Sequence, residues 1–252
     1  APLRILTGIR QGDHEAVREC LEYGGYVKRQ CKRRRASVVA LAVSLLVPLA
    51  SEAGAARNRL SAAEQKDGFH LLFNGKNLDG WHGDPAVWSV KDGVIVGSTD
   101  QHPIHHNTFL IYNGNFSNFI LRADIKLRNH NSGIQFRSKE LPDYVVTGYQ
   151  ADASEAGEHS AWGNFYEEKG RGRNVMKNPD EGWATGKRVY RKGDWNTIEV
   201  RAEGPHMRIK VNGTETIQIT DEKSSQGVIA FQLHMGQPME VEFRNIRIKE
   251  LK

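Results

Sequence analysis

Nine residues constrain this chain more than any others. In Phe119–Leu127 (FILRADIKL) the apolar Phe119, Leu121, Ala123, Ile125 and Leu127 alternate with Arg122, Asp124 and Lys126. A period of two puts the apolar set on one face of an extended strand and the charged set on the other, whereas a helix would scatter both round its circumference. A strand buried on one side needs a sheet around it and a second layer to cover it. Turn-forming residues then recur at short spacing. Trp88–Lys91 and Val94–Gly97 flank Asp92-Gly93, a pair that suits a two-residue hairpin turn because both positions take positive φ. Trp195–Ala202 and Met207–Val211 are joined through Glu203-Gly204-Pro205, and Asn212-Gly213 leads into Glu215–Ile219. Gly227–Met235 and Met239–Leu251 read as two further strands. Helix is expected only as a short capped turn at Ser61–Gln65, while Asp152–Ser160 and Gly170–Lys187 read as long loops. These features predict an all-β chain folded as an antiparallel two-sheet sandwich.

The chain has 252 residues, ample for a sizeable core. Its two cysteines exclude a disulfide scaffold or a multi-cysteine zinc or iron–sulfur protein. A formal net charge of +5 invites a nucleic-acid reading, but the charge is unevenly spread. Residues 1–56 carry 9 Lys/Arg against 5 Asp/Glu, leaving 26 against 25 for the rest. The working domain is nearly neutral, so no nucleic-acid partner is expected.

The basic excess belongs to a leader. Lys28–Arg35 (KRQCKRRR) precedes an apolar run, Ala36–Ala50, and then Ala53-Gly54-Ala55. A basic segment, an apolar stretch of about 15 residues and a small-x-small site are the three parts of a secretory signal peptide. The run falls short of the roughly 20 residues of a membrane-spanning helix. The expectation is export to the periplasm or outside the cell, with cleavage near Ala55 and no stable membrane span afterwards. Residues 1–27 are then an N-terminal extension or a mis-assigned start, 28–55 the signal, 56–67 a short linker and 68–252 the working domain. Cys20 and Cys31 both precede the apolar run, so that domain is free of cysteine and needs no disulfide in an oxidising compartment.

Seven motifs, in order, carry a family resemblance: Phe69–Trp81 (FHLLFNGKNLDGW), Asn131–Arg137 (NSGIQFR), Gly148–Asp152 (GYQAD), Gly193–Asn196 (GDWN), Val211–Gly213 (VNG), Phe231–His234 (FQLH) and Phe243–Ile246 (FRNI). Together they resemble the bacterial DUF1080 family, also called the 3-keto-disaccharide hydrolase domain, from about Gly68 to Leu251. The resemblance implies a concanavalin A-like jelly-roll sandwich and action on a sugar substrate, an oligosaccharide or glycoside.

Candidate site residues follow from sorting each strand by face. Gln135 and Arg137 share a face, as do Gln150 and Asp152, and as do Ala230, Gln232 and His234; Ile229, Phe231, Leu233 and Met235 take the opposite, apolar face. Amides with one Arg, one Asp and one His suit hydrogen bonding to sugar hydroxyls, the alternative being an ordinary solvated sheet face. The resemblance adds Tyr166, flanked by Glu167 and Glu168, with Glu167 counted among the substrate-binding residues. Trp162 or Trp183 would stack on a sugar ring or pack internally. Arg171, Arg173 and Lys177 read as a solvated basic loop, and so do His102, His105 and His106. The paired carboxylates of an ordinary glycosidase, spaced E-x-D-x-x-E on one strand in jelly-roll glucanases, are missing. The resemblance implies another route: a ketone at C3 acidifies the C2 proton, a base removes it, and the C1 oxygen leaves by β-elimination, with hydration as a further step. On that route His234 or Asp152 is the base, Arg137 or a divalent metal stabilises the enolate, and Tyr166 assists the leaving group. Asp152 and His234 together are the candidate metal ligands, and no other cofactor is expected. The rival reading is a non-catalytic carbohydrate-binding module, distinguished by whether Arg137, Asp152, Tyr166 and His234 converge.

Overall fold

The computed structural model describes residues 57–155, 161–173 and 179–252; the signal peptide expected at 28–55 lies outside the described residues. The described chain opens with α1 (Ala62–Lys66), started by a capping box in which Ser61 Oγ accepts from Glu64 N and the Glu64 carboxylate accepts from Ser61 N. Short strands β1 (His70–Leu71) and β2 (Trp81–His82) precede the hairpin β3 (Trp88–Lys91) and β4 (Val94–Ser98). Its turn is Asp92-Gly93, with φ of 49° and 76° as a two-residue hairpin requires. Then come β5 (Thr108–Tyr112), β6 (Phe119–Leu127), β7 (Asn131–Leu141), β8 (Val145–Ser154), β9 (Trp162–Glu168) and a helix, α2 (Pro179–Val189). The chain ends through β10 (Asn196–Glu203), β11 (His206–Val211), β12 (Thr214–Thr220), β13 (Val228–Leu233) and β14 (Glu240–Glu250).

The strands form two antiparallel sheets. One runs β12-β11-β10-β6-β14-β4-β3, with β1 paired to β14 beyond the end of β4; the other runs β2-β5-β13-β7-β8-β9. Burial along β6 alternates strictly, as its sequence demands: Phe119, Leu121, Ala123, Ile125 and Leu127 are buried. Across the sandwich Phe243 stacks on Phe231 with centroids 3.9 Å apart, and Trp81 stacks on the same ring at 4.8 Å. The outer face of β6 pairs its charges with neighbours, Arg122 with Glu199 at 2.7 Å and Lys126 with Glu242 at 3.2 Å, an ordinary solvated face. Among the described residues no helix is long and apolar enough to cross a membrane.

Three elements depart from the sequence-based expectation. First, the loop expected over Gly170–Lys187 contains α2. It holds no continuous apolar stripe, and two glycines, Gly182 and Gly186, weaken its propensity. What holds it is tertiary. The helix lies against β9 and β12, the end strands of the two sheets, and closes that open edge of the sandwich. Gly182 and Gly186 sit one turn apart and allow the approach: a Cβ on Gly186 would fall 2.1 Å from the Trp162 carbonyl oxygen. Gly186→Ala should therefore lower stability by about 1–3 kcal/mol despite alanine's better helix propensity. Thermal unfolding checks this, and an unchanged or higher Tm would show that the close approach is not required.

Second, β8 extends to Ser154, so the loop expected from Asp152 starts later and Asp152 stays on the strand face it shares with Gln150. Third, alternation predicts Met235 in the core, but β13 ends at Leu233; Met239 fills the core position and Met235 turns outward, 47% exposed. The β7–β8 hairpin adds a feature no local pattern announces. Its register shifts between Phe136 and Lys139, and its far half folds over the face of its own sheet. There Val146 packs on Phe109, Ile111 and Ala230, Tyr144 O accepts from Phe109 N at 2.8 Å, and Glu140 meets His82 Nε2 at 2.8 Å.

Candidate functional site

The part of that face left between the folded hairpin and α2 is polar. Core-side residues Ile134, Phe136, Tyr149, Ala151, Phe231 and Leu233 alternate with Gln135, Gln150, Asp152 and Gln232 on the other side. The second set is also buried, which excludes a simple wet sheet face. Its members are joined in one chain of hydrogen bonds. Ser138 Oγ donates to Gln135 Oε1 (2.7 Å), and Gln135 Nε2 to Gln150 Oε1 (2.8 Å). Gln150 Nε2 donates to both Asp152 Oδ1 (2.8 Å) and Gln232 Oε1 (3.3 Å), and Gln232 Nε2 to Glu168 Oε2 (3.3 Å). Asn107 Nδ2 closes the chain on Glu168 Oε1 at 3.2 Å. Gly133 makes room for this floor: it pairs with Asp152 across β7 and β8, and a Cβ on it would lie 2.6 Å from the Gln150 side-chain carbon.

Two of these amides, Gln150 and Gln232, thus link two carboxyl groups, and Gln135 braces Gln150 from the other side. Asp152 is 2% exposed, and its Oδ2 has no hydrogen-bond partner; the Arg173 guanidinium stands 3.7 Å away. Burial pushes the Asp152 carboxyl up to about 7, Glu168 adds to the rise, and Gln150 and Arg173 offset only part of it. Glu168, 6% exposed, is raised by the same cause against the opposing pull of Asn107 and Lys169. Tyr166 lies across from Gln150 on β9, and burial, then Glu168 and Asp152, hold its hydroxyl above the usual range, so it remains a proton donor. Arg173 spans the rings of Tyr166 (6.0 Å) and Trp183 (5.2 Å). Asn164, two residues before Tyr166 on β9, is fully buried with neither amide atom hydrogen-bonded, and Arg173 Nε also lacks a partner. Buried polar atoms are nearly always paired in native proteins. Four are unpartnered here: one acceptor on Asp152, both amide atoms of Asn164 and one donor on Arg173.

Gln135, Gln150, Gln232, Asp152 and Tyr166 therefore meet as the sequence predicts. Four other expectations are corrected or relocated. Arg137 sits at the β7 register shift with φ of +48° and turns away, donating to Ser117 O and Gly204 O (2.7 Å each) and to Asn118 Oδ1 (3.2 Å). Glu167 points to the opposite side of β9 from Glu168; burial would raise its carboxyl, but Lys223 and Arg171 hold it below the ordinary value. Trp162 is core, stacked on Tyr190 at 5.3 Å. His234 follows β13 with its ring edge-on to His130 at 4.7 Å; Nδ1 donates to Met235 O (2.7 Å), and burial lowers its pKa, leaving a neutral ring. As for a metal at Asp152 and His234, among the described residues no three His, Cys, Asp or Glu side chains gather to hold one, and a guanidinium faces the free oxygen of Asp152.

Glu168, Asn107, Asn164 and Arg173 were missed from sequence. Glu168 was legible, since it stands two residues from Tyr166 and so shares its face. Arg173 was not, because a loop has no period to read.

A family model described as the 3-keto-alpha-glucoside-1,2-lyase-like domain matches residues 68–249. Two solved structures from Parabacteroides distasonis, each named a "putative glycosyl hydrolase", share the fold. One is 23% identical over 78% of this chain and 100% of its own (TM-score 0.57); the other is 20% identical over 73% and 99% (TM-score 0.54). None of the curated proteins matches the sequence.

Proposed function

Because the chain belongs to the family of 3-keto-alpha-glucoside-1,2-lyase-like domains, we propose that it is an exported enzyme that cleaves the glycosidic bond of 3-keto-glycosides. The observation that supports this most is Asp152: a carboxyl with one unpartnered oxygen, raised to about 7, is a base suited to a carbon acid at neutral pH. Its carboxylate takes the C2 proton, and the C–H electron pair becomes the C2=C3 bond of an enolate. The charge on O3 is met by Arg173, with the Tyr166 hydroxyl as a second donor. The pair then returns: C3=O re-forms, C1=C2 forms and the C1–O bond breaks. The departing oxygen takes a proton from Glu168, whose buried carboxyl holds one longer than an exposed glutamate does. Release of the enone completes a lyase cycle. Addition of water at C1, with Glu168 taking its proton and Asp152 returning one to C2, completes a hydrolase cycle.

The test offers the protein a 3-keto disaccharide and, separately, the unoxidised parent. Sugar release from the keto form alone is the expected result. Release from the parent as well would replace elimination with ordinary hydrolysis. Tight binding of both with no release would make the domain a carbohydrate-binding module.

A further inference from the structure

The turn that leaves β9 is fastened on the side of that strand opposite Glu168. Glu167 and Gly172 form an antiparallel bridge, in which Glu167 N donates to Gly172 O (3.0 Å) and Gly172 N to Glu167 O (3.2 Å). The chain folds back through left-handed backbone at Lys169 (φ 51°) and Gly172 (φ 60°). The next residue, Arg173, then comes alongside Tyr166, with Nη2 3.7 Å from Asp152 Oδ2. Arg171 lies inside this return and commits its whole fork. Its Nε donates to Glu167 Oε2, while Nη1 and Nη2 donate to Asp221 Oδ2 and Oδ1 at 2.7 and 3.0 Å. Asp221 is the first residue after β12, and the buried hydroxyl-bearing ring of Tyr149 donates to its Oδ1. The turn is thus tied to its own strand, to the β12–β13 connection and to a core side chain of β8, the strand that carries Asp152. The Arg171 bonds outweigh burial and hold Asp221 down to about 2, so the clamp stays charged wherever Asp152 titrates.

From this geometry we infer that Arg171 is a positioning residue, which clamps the β9 turn to Asp221 and so keeps Arg173 beside Asp152. The inference rests on the proposed roles of Asp152 as base and Arg173 as the cation that meets the charge on O3. An exposed ion pair by itself adds little stability. This one differs because three donor nitrogens bind two carboxylates from separate elements, two residues away from Arg173. Lysine, a single point charge, cannot reproduce that planar fork.

In the full chain, Arg171→Lys should lower kcat on a 3-keto disaccharide about tenfold, with KM within about twofold. Burial raises the Asp152 carboxyl and Arg173 offsets part of that rise. Loss of Arg173 from its place should therefore also move the acidic limb of kcat/KM upward, by about half a pH unit or more. Glu168 and Tyr166, the other titratable groups facing Asp152, are unchanged in these variants. Asp221→Asn loosens the clamp from its other end and should match Arg171→Lys on both counts. Arg173→Met should lower kcat about a hundredfold, and adding Arg171→Lys to it should change nothing further, because the clamp acts through Arg173. Lys223→Met removes the other partner of Glu167 but spares the fork, and should stay within about twofold of wild type. Losses that multiply in the double variant, an unmoved limb in Arg171→Lys, or equal impairment by Lys223→Met would overturn the clamp while leaving the cleavage reading intact. If the wild type cleaves nothing, the cleavage reading fails, and NMR titration of the Asp152 carboxyl decides the clamp alone. An upward displacement shared by Arg171→Lys and Arg173→Met supports it; a displacement in Arg173→Met only, or in neither, overturns it.

Discussion

Asp152→Asn should lower kcat by about a thousandfold or more, and the inactive protein should be more stable than the wild type above neutral pH. The substitution keeps shape and keeps an acceptor for Gln150 Nε2, so the amide chain survives. What it removes is the proton acceptor. In the wild type kcat/KM should rise with pH and level off near 7, where Asp152 ionises. The stability effect has the opposite sense. The folded pKa of about 7 lies above the ordinary 3.8, so the group is neutral in both states at low pH and costs nothing there. Between about pH 4 and 7 the unfolded chain ionises first, and folding stability drains away by about 1.4 kcal/mol per pH unit, to a total of about 4 kcal/mol. Asparagine cannot ionise and avoids this loss. Melting curves at pH 4, 6 and 8 should show the gap between variant and wild type opening upward. A gap that stays constant with pH, or a variant retaining a tenth of the activity, would take Asp152 out of the role of base.

The second large effect is expected at Arg137. Its guanidinium is 1% exposed and binds the carbonyls of Ser117 and Gly204 and the side chain of Asn118, while burial lowers its pKa. Arg137→Leu would fill much of the space but remove three charge-assisted hydrogen bonds to the exposed Ser117 and Gly204 carbonyls and to Asn118, where water replaces part of what is lost, leaving a net cost of about 1 kcal/mol each. The expected loss is about 2–3 kcal/mol by denaturant unfolding, with kcat per folded molecule within about twofold of wild type. A variant that folds normally but loses turnover would return Arg137 to the enolate role that its strand position suggests.

Arg137 also shows where period-two reasoning stops. Counting from Gln135, it should share the polar face, and it would if β7 ran straight. The register shift after Phe136 breaks the count, and the side chain ends at the far side of the sheet. Glu167 and Glu168 show the same rule working: alternation from Tyr166 selects Glu168, which lies in the site, and rejects Glu167, which pairs with Arg171 and Lys223. Met235 fails for a different reason, because β13 ends before reaching it.

The sequence by itself determined most of the strands, their turns and the face on which each amide stands, because turn type and side-chain alternation are set within a few residues along the chain. Asp92-Gly93 and Asn212-Gly213 adopt the positive φ their types favour, and the faces of β6, β8 and β13 follow from alternation alone. Only the tertiary structure decided the rest. The helix α2 exists because two glycines let it reach an open sheet edge, and Arg173 enters the site from a loop. The Asp152 carboxyl is raised to about 7 because residues distant in sequence bury it. Burial is a sum over the whole fold, and a pKa set by burial is therefore written nowhere in the neighbouring residues.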